Sequence, residues 1–290
     1  MNALPWKPGQ NFLTYALLAV FLLTAGCACR LNMGSKGIPL PENTVWRENP
    51  DLTALFHDLR AQSGVEGTFV LYDREENALI GYNQTRAATR YQPASTFKIL
   101  NALIAFETGV VTDTREILPY GGGPQPVKAW ERDMTIKEGL AVSNVSLFQG
   151  IARRIGLVRM QKYVSLVGYG NAEIGKVVDN FWLKGPLAVS ALEQIRFIDE
   201  LNRAALPFSA RSMELLREIM PSEEGRASSL IFYKTGRTNN TQPGIGWVVG
   251  WVRLHDHNYP FALNLDIHKD ADAELRLLVL HQALQALGMY

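Results

Sequence analysis

Apolar positions recur along this chain with two different periods. Leu52, Leu55, Phe56 and Leu59 are three and four apart, so residues 51–62 predict an amphipathic helix. Residues 96–108 predict a strongly apolar helix ended by Gly109. Helical spacing returns over 147–155, 160–167 and 191–201, the last opened by a capping box of Ser190 and Glu193. Residues 213–220 predict a further helix, stopped before Pro221, and residues 273–287 a final one. Strand-type runs occupy 68–72 and 78–82, joined by a charged turn at 73–77, and then 230–235, 247–254 and 261–267. Strands therefore lie near both ends of the chain with helices between them. The economical solution is an α/β protein of the α+β type: one antiparallel β-sheet built from both chain ends, flanked by helices, with an all-helical subdomain inserted.

The N-terminus breaks this pattern. Lys7 is followed by an uncharged run from 12 to 25. It is short for a membrane span and suits the apolar region of a signal peptide. Two processing routes fit. The stretch ending Thr24-Ala25-Gly26-Cys27 is a loose lipobox, which would put a lipid anchor on Cys27; cleavage after Ala28 is the other route. Residues 1–28 are thus expected to be a signal peptide and 29–50 a tether with Gly, Pro and Asn and no period. Residues 51–290 are expected to form a single domain, with a mixed subdomain over about 51–90 and 225–290 and a helical one over about 91–224.

Composition narrows the partners. In 290 residues the formal net charge is +1, which favours neither nucleic acid nor an acidic surface. Cys27 and Cys29 are the two cysteines, so the folded part holds no disulfide. The five histidines are scattered, and the pair His255 and His257 sits in an expected hairpin turn without further ligands, so no metal site is expected.

Three short strings carry candidate chemistry. Ser95-Thr96-Phe97-Lys98 follows Pro93, which disfavours helix before it and puts Ser95 near a helix start. Ser95 and Lys98, three apart, share a face, and the helix N-terminus offers free N–H groups to developing negative charge. A serine hydroxyl needs a base to become a nucleophile, and a lysine can be that base if burial lowers its pKa. Ser143-Asn144-Val145 ends a helical run. Lys234-Thr235-Gly236 ends an apolar strand, where a cation and a hydroxyl could hold a carboxylate. Each string alone is weak; together, once each and in this order, they are specific.

The set resembles the penicillin-recognising serine enzymes. The branch follows from detail. The form with Asp and Asn after the second serine is absent. The Glu that class A enzymes place four residues before an Asn is Ile198 at the nearest candidate. Tyr169-Gly170-Asn171 and Phe181-Trp182-Leu183-Lys184-Gly185-Pro186-Leu187 are similar to class D, the oxacillinase-type serine β-lactamases, over about 67–288.

That resemblance implies a β-lactam hydrolase with an antiparallel sheet and a helical insertion. It implies Ser95 as nucleophile and Lys98, N-carboxylated by carbon dioxide, as general base for acylation and deacylation. Trp182 would hold the carbamate through its indole N–H, and Val145 would keep the lysine dry. Ser143 and Lys234 would pass a proton to the leaving nitrogen. The backbone N–H groups of Ser95 and Arg237 would form the oxyanion hole after Gly236, and Thr235 and Arg276 would bind the substrate carboxylate. Apart from carbon dioxide or bicarbonate no cofactor is implied, and the partner is a small β-lactam in the periplasm. A peptidoglycan transpeptidase or carboxypeptidase, and a β-lactam sensor that stays acylated, are the alternatives.

Overall fold

The computed structural model describes residues 41, 43–225 and 229–290. The expected signal peptide, Cys27, Ala28 and most of the expected tether lie outside the described residues. Strands are β1 (Val45–Glu48), β2 (Gly67–Asp73), β3 (Ala78–Tyr82), β4 (Ile117–Leu118), β5 (Met134–Thr135), β6 (Ser222–Glu224), β7 (Leu230–Thr238), β8 (Gly244–Leu254) and β9 (His257–Ile267). Seven form one sheet in the order β1-β3-β2-β9-β8-β7-β6, so strands from both chain ends build it, the two blocks joining where β2 pairs with β9. β4 and β5 pair separately.

The helices are α1 (Pro50–Ser63), α2 (Gln84–Ala88), α3 (Lys98–Glu107), α4 (Ile136–Ala141), α5 (Val145–Ile155), α6 (Leu157–Val167), α7 (Phe181–Lys184), α8 (Ala191–Asn202), α9 (Ala210–Ile219) and α10 (Leu275–Ala286). Local chemistry sets their ends. Asn49 accepts from the N–H groups of Asp51 and Leu52, and Pro50 needs no partner at the first turn of α1. The Ser190–Glu193 capping box forms at α8. α3 is buried from Lys98 to Phe106, the signature of a helix surrounded by protein.

The period of two along the strands builds two cores. Val70, Tyr72, Val249 and Trp251 face the helical insertion, where α3, α5 and α8 pack. Phe69, Leu71, Val248 and Val252 face the other way, against α1 and α10.

Three features depart from the expectation. Residues 45–48, placed in a tether, form the edge strand β1, which runs parallel to β3. β6 puts residues 222–224 in the sheet, so the helical insertion closes before 222 rather than at 224. The hairpin of β4 and β5 interrupts the helices. All are short and half-exposed, and β1 and β6 are edge strands rich in charge. Such strands owe their form to a neighbour's free backbone groups, not to an alternating side-chain pattern. Ser95 lies just ahead of α3, in a 3₁₀ turn, Ala94–Phe97, that leads into it, so the α-helix predicted from 96 begins at Lys98. Among the described residues no helix is long and apolar enough to cross a membrane, and no cluster of ligating side chains could hold a metal ion.

Candidate active site

The centre of the site is the turn before α3. Ala94 has φ +48°, a left-handed conformation costly for a residue with a Cβ, so its surroundings must hold it. They do so through buried polar contacts. Thr96 Oγ1 donates to Pro93 O at 2.7 Å and accepts from Gln194 Nε2 at 2.9 Å. The Tyr169 hydroxyl donates to Gln194 Oε1 at 2.9 Å. Gly236 of β7 presses on the same turn: a Cβ there would lie 3.0 Å from Pro93 O and 3.1 Å from Thr96 Cγ2. Glycine lets the strand approach the turn this closely.

Lys98 is the first residue of α3, and its side chain is fully buried. Its amine lies 2.7 Å from Ser95 Oγ, 3.0 Å from the Ser143 carbonyl and 3.2 Å from Ser143 Oγ. Phe148 presents its ring 5.7 Å from the same nitrogen. Burial first, and the charge of Lys234 second, hold the Lys98 amine well below the usual lysine range. A neutral amine beside a serine hydroxyl can take its proton. Ser143 reaches this point because it occupies the left-handed region, φ +55°, between α4 and α5. Asn144 caps α5 by accepting from Leu147 N at 3.0 Å, and Val145 begins that helix, half-buried.

Trp182 is completely buried, with its ring stacked on Phe97 at 5.4 Å, one residue before Lys98. Its indole Nε1 has no hydrogen-bond partner among the described residues. A buried donor of this kind is costly to leave unmatched. An orphaned N–H packed on the turn that holds Ser95 fits an anionic group carried by Lys98. Burial also disfavours the charged form of the Lys98 amine, and it is the neutral form that reacts with carbon dioxide.

Lys234 lies on β7, 2% exposed, with its amine donating to Thr235 O at 2.9 Å. Burial, and then Arg276, push its pKa down to about 7. β6 pairs with Leu230 to Phe232, and among the described residues no strand covers that edge of β7 from Lys234 onward. Arg276, the second residue of α10, donates to Gly236 O at 2.6 Å and to Ala273 O at 2.6 Å. Ser95, Lys98 and Ser143 thus meet directly, and Gly236 brings the Lys234 strand and Arg276 to the same turn. Thr235 is half-buried on that strand. Arg237 follows it, with its side chain paired to Asp270.

The Tyr169-Gly170-Asn171 string braces the segment after α7. Gly170 has φ +57°, and a Cβ on it would fall 2.1 Å from Ala188 O. The Asn171 side chain donates to Pro186 O at 2.9 Å and accepts from Ala188 N at 3.1 Å. Gln194 and Asp270 had no motif to announce them; a lone glutamine on a helix is distinguished only once its neighbours are known.

Comparison with known proteins follows the same outline. The family model for the penicillin binding protein transpeptidase domain matches residues 67–284. The chain is 40% identical over 214 residues to β-lactamase OXA-5 of Pseudomonas aeruginosa, covering 73% of this chain and 80% of that one. It is 35% identical over 240 residues to β-lactamase OXA-48 of Klebsiella pneumoniae, covering 83% and 89%. Among solved structures, the class D β-lactamase YbXI from Nostoc superposes with TM-score 0.77 at 38% identity, covering 80% of this chain and 97% of the other. FUS-1 (OXA-85), a class D β-lactamase from Fusobacterium nucleatum subsp. polymorphum, gives 0.78 at 34% identity, covering 84% and 99%.

Proposed function

The chain belongs to the class D serine β-lactamases and hydrolyses β-lactams, and we propose that it does so through an ester on Ser95 with Lys98 as the base. The observation that carries this reading is the fully buried Lys98 amine 2.7 Å from Ser95 Oγ. The Ser95 oxygen attacks the lactam carbonyl as its proton passes to Lys98. The backbone N–H groups of Ser95 and Arg237 take the developing oxyanion, each such donor being worth roughly 3 kcal/mol. As the ring C–N bond breaks, the Ser143 hydroxyl gives its proton to the nitrogen, with Lys234 resupplying it. Thr235 and Arg276 hold the substrate carboxylate. Water then attacks the Ser95 ester, releases the opened product and restores the hydroxyl.

A carbamate on Lys98, formed from carbon dioxide, would supply a general base for both half-reactions. Trp182 Nε1 and Ser95 Oγ would hold it, and Phe148 and Val145 would exclude bulk water from it. The apolar run at 12–25 supports export to the periplasm, with lipid attachment at Cys27 or cleavage after Ala28. Mass spectrometry of the mature N-terminus distinguishes these two.

The test is the lifetime of the penicillin acyl-enzyme, followed by rapid quench and intact-protein mass spectrometry. Turnover in seconds or less supports the hydrolase. An adduct stable for hours indicates instead a transpeptidase or a sensor. Activity should fall in bicarbonate-depleted acidic buffer and recover on adding bicarbonate; full activity without any response would mean that Lys98 works as a bare amine.

A further inference from the structure

The mechanism above uses only the backbone of Arg237. Its side chain has a defined place. Along β7, Lys234, Gly236 and Thr238 are buried while Thr235 and Arg237 are half-buried, so the latter two share the opposite face. Arg237 is the register partner of Gly246 on β8, and directly opposed residues of an antiparallel pair project to one face. A Cβ on Gly246 would meet Arg276 Cδ at 2.8 Å and Cγ at 3.1 Å. The stem of Arg276 therefore lies on the face to which Arg237 projects. Its Nη1 is bound to the carbonyl of Gly236, the residue before Arg237.

Two arginines thus lie on the face of β7 and β8 that also carries Thr235. Burial first, and the charge of Arg237 second, lower the Arg276 pKa. Arg276 is held by two backbone carbonyls, but Arg237 is held by Asp270, whose side chain is 94% exposed. The Arg237 side chain is itself 32% exposed. A solvated pair of this kind is weak and readily exchanged for another anion. The nearby Asp272 is committed elsewhere, accepting from the N–H groups of His268 and Lys269.

We propose that the Arg237 side chain is a second cation of the substrate-carboxylate site, selecting β-lactams that carry a further negative charge on the carboxylate side of the ring. Cephalosporins with an anionic C3 substituent are that class. Arg276 and Thr235 take the ring carboxylate, and Arg237 leaves Asp270 to meet the second charge. The inference rests on the hydrolase reading given above.

The test uses two cephalosporins with the same acylamino side chain, one with an ionised thiotriazinedione at C3 and one with a neutral acetoxymethyl group. Acylation rate constants are measured by competition with a chromogenic cephalosporin. The ratio of anionic to neutral substrate should fall roughly five-fold in Arg237→Leu, as expected for one partly screened charge pair. Arg237→Lys should keep most of the ratio, and Asp270→Asn should raise it. Added salt should lower the ratio in the unmodified protein and leave it flat in Arg237→Leu. Equal ratios in the unmodified protein and Arg237→Leu would overturn the proposal, as would a loss that falls equally on both substrates. Failure of the hydrolase reading is separate, because it shows as no turnover of the chromogenic substrate.

Discussion

Gln194 offers a direct measure of how the turn that carries Ser95 is held. It is fully buried on α8 and bridges Tyr169 to Thr96. Gln194→Met keeps the volume and removes both polar atoms. The Tyr169 hydroxyl then loses its acceptor, and Thr96 Oγ1 loses a donor, in a site that water does not reach. A net hydrogen bond contributes about 1 kcal/mol, and a buried group left unmatched costs about 1–3 kcal/mol. The expected loss is therefore about 2–4 kcal/mol. In a domain of this size each kcal/mol lowers Tm by about 2–4 °C, so a fall of roughly 5–15 °C is expected by calorimetry. Ala94, at φ +48°, would relax once its brace is cut. A displacement of about 1 Å at a reacting atom can cost about a hundred-fold, so a partial relaxation of the turn should slow acylation of Ser95 by roughly ten-fold. Thr96→Val breaks the same chain, and the double variant should lose less than the sum of the two singles. A Gln194→Met protein within about 0.5 kcal/mol of the unmodified one, acylating at the normal rate, would refute the argument, since that is the range of an ordinary surface change.

The remaining predictions concern charge and close packing. Lys234 has a pKa of about 7 in the folded protein, against about 10.4 in the unfolded chain. Between those values the unfolded state binds a proton that the folded state lacks, so stability rises with pH from about 7 to about 10. Denaturant unfolding across that range should show a smaller rise in Lys234→Met; equal slopes would mean that the amine does not titrate low. Trp182→Ala should slow release of the acyl group more than its formation in single-turnover measurements, and equal losses would assign the indole to packing alone. Gly170→Ala drives a Cβ to 2.1 Å from Ala188 O. Thermal unfolding should show a loss of about 3 kcal/mol or more, the range of a strained backbone position with a hard clash, and a near-normal Tm would show that the segment after α7 gives way freely.

Much of the site was legible because its signals are local. Ser95 and Lys98 three apart on a helical turn had to share a face, and the 2.7 Å contact follows from that spacing. Lys234 sits at the end of an apolar run that could only be a strand, and the Ser190–Glu193 box is contained in four residues. The edge strands were not legible, because Val45–Glu48 and Ser222–Glu224 carry no alternation and take their form from β3 and β7. The pairing of Arg237 with Asp270 joins residues 33 apart, and the bridge from Gln194 to Thr96 joins residues 98 apart.

The amino-acid order by itself determined which side chains could do chemistry and which segments could form helices or central strands. Those are properties of residue type and short spacing, and they hold wherever the segment lies. Only the tertiary structure decided what those side chains became. Lys98 is held well below the usual lysine range because α3 is enclosed on all sides, Lys234 is pushed down to about 7 because β7 buries it, and Arg237 faces Arg276 because β8 lays Gly246 beside it. Desolvation and charge pairing depend on distance in space, and distant parts of the chain supply those neighbours.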